Sequence, residues 1–316
     1  MKVSTSRNIY KYLLPLLAML LITAIALPAL AAPAARGQKA FASAEDAAAA
    51  LAAASKSGNT KEIIAILGPG SAKIISSGDP VADKAGLERF SRLYDEKHLL
   101  EGADGDRAIL VLGNEDFPFA VPLVKKGDKW RFDAKAGKEE IINRRIGRNE
   151  LAVISLMHSY VDAQREYITM DRDSDAVKEF AQKFRSTPGK KDGLYWEAKD
   201  GAEMSPLGPL VAKADSEGYA KSKRVDKSPY QGYLFKILKA QGANVEGGAF
   251  DYVVNGKMIL GFALVAYPAE YGNSGIMTFV INQNGIVYQK DLGKNTGRIA
   301  AAMKSYNPDK SWKKVE

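Results

Sequence analysis

Two histidines and no cysteine leave few residues for proton or metal chemistry. His158 lies in "RRIGRNELAVISLMHSYVDAQREYI", residues 144–168, with Asp162 and Arg165 one and two helical turns further on. That spacing puts the three on one helical face, and a His–Asp pair can orient a general base. A base needs something to deprotonate, and no serine elbow or comparable nucleophile motif lies nearby. The expected role of His158 is therefore a surface residue in a charged ladder, with a pH-sensitive contact as the alternative. "DRDSD" sets Asp171, Asp173 and Asp175 at the first, third and fifth positions of a would-be calcium loop. The sixth and twelfth, which need Gly and Glu, are Ala176 and Gln182, so a charge cluster at a helix start is expected instead. His98 and His158 share no short metal motif. Paired acids can do acid–base work, but "EDF" (115–117) and "SGDPVAD" (77–83) do not reveal their separation in space. "QGANVEGGAF" matches neither phosphate-loop pattern. No catalytic residue, metal or cofactor is assigned.

The element that must position these residues is the helix itself. At 100° per residue, Val153, Ile154, Leu156, Met157, Tyr160, Val161, Tyr167 and Ile168 share a wide apolar face. Ser155, His158, Ser159, Asp162, Arg165 and Glu166 take the other. Gln164 falls on the apolar face between Tyr160 and Tyr167. A buried amide without partners costs on the order of 1–3 kcal/mol, so Gln164 is expected to bond the backbone of a covering sheet.

The N-terminus has the pattern of an export signal. Lys2, Arg7 and Lys11 precede an apolar run from Leu13 to Leu27, and Ala29-Leu30-Ala31 supplies a small-residue cleavage pattern. The run is of signal-peptide length, about fifteen residues, and shorter than a membrane span. Residues 1–31 are thus expected as a signal peptide and 32–40 as a flexible leader, placing the protein in the periplasm or outside the cell. No disulfide can form there without cysteine. Net charge is +8, and both signs are interspersed, as in "KKGDKWRFDAKAGKEE". A nucleic-acid binder clusters its cations, so none is expected as a partner. An envelope protein or an anionic envelope component remains, with no stable membrane span after cleavage.

About 285 residues after the cut exceed one typical core. Residues 41–137 read as helices followed by a small antiparallel sheet. Ser43 and Asp46 open the first helix, Gly58-Asn59 breaks it, and Leu87, Phe90, Leu93 and Tyr94 keep core spacing. "RAILVLG", "FAVPLVKKG" and "KWRFDA" are strand-like, in an outline resembling cone-shaped folds of the nuclear-transport-factor-2 or cystatin type. Residues 138–316 open with the long helix. "DAVKEFAQKF" is expected as a short helix and "GYLFKIL" and "GFALVAYP" as strands. "IMTFVINQNGIVYQKDL" reads as a hairpin, with Asn284-Gly285 at the positive-φ positions, and "TGRIAAAMKSY" as a last helix. The fold class is α+β. Tyr267 and Tyr271 in "YPAEYGNSG", with Tyr195 and Trp196 in "GLYW", are candidate ligand- or partner-binding aromatics.

"RNELAVISLMHSYVDAQREY", "GKKDGLYW", "SPLGPLV", "GYLFKILKAQG", "YVVNGKM", "GFALVAYPAEYGNSGIMTFVINQNGIVYQKDLG" and "NPDKSW" together resemble the bacterial domain-of-unknown-function 2950 family. The resemblance implies an exported bacterial protein and carries no catalytic or binding residue with it. The helix bearing "AQREY" followed by these strands is also similar to the globular heads of pilins and pseudopilins, in which a sheet wraps a helix. The expected function is a non-enzymatic binding or assembly module of the cell envelope. The alternatives are a small-ligand binder with a pocket in the N-terminal domain and a carboxylate-based hydrolase.

Overall fold

Capping and small-residue patterning account for the first helices. The Ser43 hydroxyl accepts from the Asp46 N–H at 2.9 Å and starts α1 (Ala44–Lys56), and Asn59 starts α2 (Thr60–Leu67) in the same way. A one-turn α3 (Ala72–Ile75) leads to α4 (Pro80–Glu96). There Asp79 is the N-cap and Pro80 opens the helix, where a missing N–H leaves no bond unmade. Ala44, Ala47, Ala48 and Ala52 are buried, so α1 lies close against α2 and α4. The computed structural model describes residues 37–172, 174–198, 201–219 and 228–315. The expected signal peptide and most of the leader lie outside these residues.

The first sheet is built from β1 (His98–Glu101), β2 (Arg107–Leu112), β3 (Phe117–Pro118), β4 (Leu123–Lys126) and β5 (Lys129–Phe132). Its order is β1-β2-β4-β5 with β3 beside β2, antiparallel throughout. Leu123, Trp130 and Phe132 pack with Leu51, Ile63 and Ile66 into one core. Helices followed by an antiparallel sheet are the order expected from the change in hydrophobic period.

The helix α5 (Ala134–Tyr167) joins this layer to the next without a break. Ala134 is in the first core, and Gly137 passes directly over Ala120 and Val121. Further on, Val153, Met157, Tyr160, Val161 and Tyr167 are in the second core, while His158, Asp162 and Arg165 are exposed. The helix divides along the faces the wheel assigns.

After α6 (Gly208–Ala214) come β6 (Tyr233–Leu238), β7 (Ala240–Gln241), β8 (Phe250–Asp251), β9 (Val253–Val254) and β10 (Lys257–Met258). They are followed by β11 (Ala263–Pro268), β12 (Met277–Asn282), β13 (Tyr288–Asp291), α7 (Thr296–Ala302) and β14 (Lys313–Lys314). The second sheet has the order β14-β13-β12-β11-β6, with all four pairings antiparallel, and β7–β8 and β9–β10 form two small ladders. β11 has α5 and α7 packed against it and is buried at every position but Tyr267, as its unbroken apolar run requires. The molecule is an α+β fold. Among the described residues no helix is long and apolar enough to cross a membrane.

Two local expectations are corrected. "DAVKEFAQKF" is not helical but an irregular strap. Neighbouring segments take its backbone groups: Phe180 N–H donates to Met258 O at 2.8 Å, and Ala181 is bonded on both sides by Gln164. Tertiary partners override a helical pattern of this length. Asp171 and Asp175 therefore start no helix. Asp171 accepts from Ser174 and Ala176 N–H groups across a left-handed turn, and Asp175 pairs with Lys257. Asp173 lies outside the described residues. In the β12–β13 hairpin only Gly285 takes a positive φ, at 76°. The connection spans residues 283–287, longer than the two-residue turn that would need two such positions.

Two glycines of α5 should respond to alanine with opposite sign. A Cβ at Gly137 would sit 2.4 Å from Ala120 O, whereas Gly147 has open space around it. Gly137→Ala should destabilise by about 1–3 kcal/mol through backbone overlap. Gly147→Ala should stabilise by roughly 0.4–1 kcal/mol through the unfolded chain. Urea unfolding of both variants checks the pair, and a stabilised Gly137→Ala would contradict the close approach.

Candidate functional site

The four aromatic candidates are dispersed. Tyr267 is half-buried against the second core, and the Tyr271 hydroxyl donates to the Asp291 carboxylate at 3.0 Å. Their segment is a folded-in corner rather than an exposed tip. Asn273 and Ser274 are fully buried. Asn273 donates to Ser76 O at 2.8 Å and accepts from Arg145 at 2.6 Å, while Asn149 donates to Ser274 O at 2.9 Å. Glu150 accepts the Ile276 and Met277 N–H groups at 2.9 Å. The loop thus ties α5 and the α3–α4 corner to the second sheet.

Tyr195 and Trp196 occupy different environments. Trp196 is buried and donates to Glu203 O. The Arg172 guanidinium lies over its ring at 5.3 Å and over Tyr167 at 5.4 Å, with Glu203 as its ion-pair partner. Burial lowers the proton affinity of Arg172, and the neighbouring anion and ring faces compensate. Tyr195 instead lines a cavity, with Arg185 over its ring at 4.6 Å.

Gln164 is fully buried, and its partner is the strap rather than a strand of the sheet. Its amide donates to Ala181 O and accepts from Ala181 N–H, both at 2.8 Å, and it also donates to the Tyr160 hydroxyl at 3.0 Å. A planar amide can satisfy both groups of one residue at once, and a loop with no ladder of its own offers both. Burial pushes the Tyr160 phenol well above its ordinary range, so it stays protonated and able to donate to Ala263 O at 3.4 Å.

These contacts frame a cavity of about 590 Å³ between α5, α6 and the second sheet. Tyr160, Phe184, Tyr195, Leu210, Phe235 and Leu264 form much of its wall. One end is polar. The Asp79 carboxylate is fully buried. It caps α4 by accepting from Val81 and Ala82, and its other oxygen accepts from the Tyr219 hydroxyl at 2.8 Å and Gly232 N–H at 2.9 Å. Tyr230 lies edge-on to Tyr219, 4.7 Å between ring centres. Burial, and then the charge of Glu217, pushes the Tyr230 phenol up to about 12. Burial first and the Asp79 charge second raise Tyr219 further. Both phenols are therefore neutral donors at physiological pH.

A second, smaller cavity of about 240 Å³ lies in the N-terminal half between α1, α2, α4 and α5. His158 lines neither cavity. His98 stacks on Tyr94 with ring centres 3.8 Å apart. Among the described residues no group of three His, Asp or Glu side chains is placed to hold a metal ion.

Asp79, Tyr219 and Tyr230 escaped the sequence reading as a group because they are distant in the chain. Asp79 alone carried a signal, as an N-cap acid before a proline. Fold and site together define an α+β protein in which one helix joins two sheets and a mainly apolar cavity opens beside it. The chain belongs to the family described as protein of unknown function, DUF2950, matched over residues 38–315. No curated protein and no solved structure matches it.

Asp79→Ala removes a helix cap and strands two donors, and should cost about 2–4 kcal/mol. Tyr219→Phe removes one charge-assisted bond and the acceptor of the Gln231 N–H, and should cost about 1.5–2 kcal/mol. Chemical denaturation of both checks the ranking, and an Asp79→Ala protein of wild-type stability would remove this carboxylate from the account.

Proposed function

We propose that the protein is an exported, non-enzymatic binding module of the bacterial cell envelope that holds a small, largely apolar ligand in its larger cavity. The observation that carries this reading is the cavity's size and lining. At about 590 Å³, with a wall mainly of aromatic and aliphatic side chains, it falls in the range of small-molecule sites, which pair apolar walls with a few oriented polar groups. The polar groups are those of its Asp79 end. Asp79 is committed there to four donors, which suits it to fixing the wall rather than transferring protons. The cavity lies beside the second sheet, and the N-terminal half, where a pocket is expected from the sequence, holds the smaller one. Export is supported by the cationic start, the apolar run and the A-x-A pattern at Ala29–Ala31. A filament-assembly role of the pilin kind has only the packing of a helix on a sheet behind it, an arrangement many functions share.

The neutral fluorophore N-phenyl-1-naphthylamine tests the site. It should bind saturably, and Leu210→Trp, which fills the cavity from α6, should weaken binding by about tenfold, since overpacking costs about 1–3 kcal/mol and about 1.4 kcal/mol is tenfold. Absent binding, or binding indifferent to Leu210→Trp, would overturn the reading. N-terminal sequencing of the exported protein should begin after Ala31.

A further inference from the structure

The smaller cavity combines an apolar floor with a cationic rim. Leu51, Ile63, Leu67, Phe90 and Phe119 supply apolar lining. Arg89 from α4 and Arg144, Arg145 and Arg148 from α5 also line it, against one carboxylate, Asp83. Residues three and four apart share a helical face, so α5 presents Arg144 and Arg145 one turn from Arg148.

Two of these arginines are already engaged. Arg144 bonds Glu140 at 2.6 Å and lies over Phe117. Arg145 donates to Lys73 O at 2.9 Å, to Asn273 at 2.6 Å and to Ile74 O. Asp83 is held by the Ser77 N–H at 3.0 Å and the Ser77 hydroxyl at 2.7 Å, and burial raises its proton affinity. Arg89 and Arg148 have neither a carboxylate nor a carbonyl partner among the described residues. Burial lowers the proton affinity of Arg148, and the charge of Arg89 lowers it further. Both side chains are exposed at the rim, and two like charges beside an apolar depression, with no counter-ion among the described residues, form an arrangement that a bound anion complements. The guanidinium fork suits an oxyanion, through paired charge-assisted hydrogen bonds.

We infer that this depression is a second binding site, for an amphiphilic oxyanion whose carboxylate or phosphate head sits between Arg89 and Arg148. Its body, a short acyl chain or a single ring, lies on the apolar floor. The volume of about 240 Å³ is below that of drug-sized sites, which sets the size of the body. The inference is independent of what the larger cavity holds.

Isothermal titration of the purified chain with octanoate, octyl phosphate and 1-octanol tests it. At least one anion should bind saturably, with the neutral alcohol weaker by roughly tenfold or more. The tighter of the two anions identifies the head group. Arg89→Gln and Arg148→Gln should each weaken the anion by roughly tenfold, and Arg148→Lys by less, because it keeps the charge but loses the fork. Leu210→Trp should leave this binding unchanged. Four results would overturn the inference: neither anion binds, octanol binds equally well, both glutamine variants bind as wild type, or Leu210→Trp abolishes the binding. Thermal unfolding of each variant separates loss of the site from loss of the fold.

Discussion

A buried carboxylate with four donors holds the two layers of this protein in register. Asp79 has one oxygen on the first turn of α4 and the other on Tyr219 and Gly232. A buried charge is tolerated only when hydrogen bonds replace its lost hydration, so the geometry of one donor constrains the other three. The start of β6 and the turn ending at Tyr219 are thereby fixed against the helical layer. The Asn273 corner repeats the device nearby with a neutral amide at its centre, joining Arg145 on α5, Ser76 and the second sheet. Sheets packed only by apolar contact can slide, because such contact is non-directional. These bonds are directional, and they lie where the first layer meets the second.

α5 makes the arrangement possible. As one helix of 34 residues it carries Ala134 in the first core and Tyr167 in the second. Gly137 allows its first turns to lie against the Ala120–Val121 backbone. Near its middle, Arg144, Arg145, Arg148, Asn149 and Glu150 supply polar groups where it passes from one layer to the other. Arg145, Asn149 and Glu150 reach the second sheet's corner, and Arg144 and Arg148 face the smaller cavity. A charged stretch inside a long helix marks, in this case, the junction between layers rather than a solvated surface.

Periodicity and capping made much of this architecture legible in the sequence. Ser43, Asn59 and the two faces around His158 are local signals, and local signals survive into the fold. The "DAVKEFAQKF" strap did not, because its backbone is claimed by Gln164 and Met258 from outside the segment. The anomalous position of Gln164 was visible on the wheel, but its partner was not, since nothing in the pattern distinguishes a strap from a strand. The same limit hid the candidate sites. Asp79 and Tyr219 are 140 residues apart, and no spacing rule reaches that far. The "YPAEYGNSG" corner misled for a related reason: Gly, Asn and Ser mark a turn, but not whether another layer covers it.

The binding role proposed above agrees with how several buried ionisable groups are engaged. Catalytic groups are commonly held with shifted proton affinities and with access to the reacting atom. Here three of the strongly raised phenols, Tyr160, Tyr219 and Tyr233, give their hydrogen bonds to the protein itself, and their shifts record burial first of all. The exposed His158 has none of these partners. The two proposed sites present surfaces of another kind: apolar side chains around the larger cavity, and two guanidiniums above the smaller one. Unsatisfied apolar area selects ligands by shape, and unpaired cations select them by charge. Neither of these features requires a bond to be made or broken.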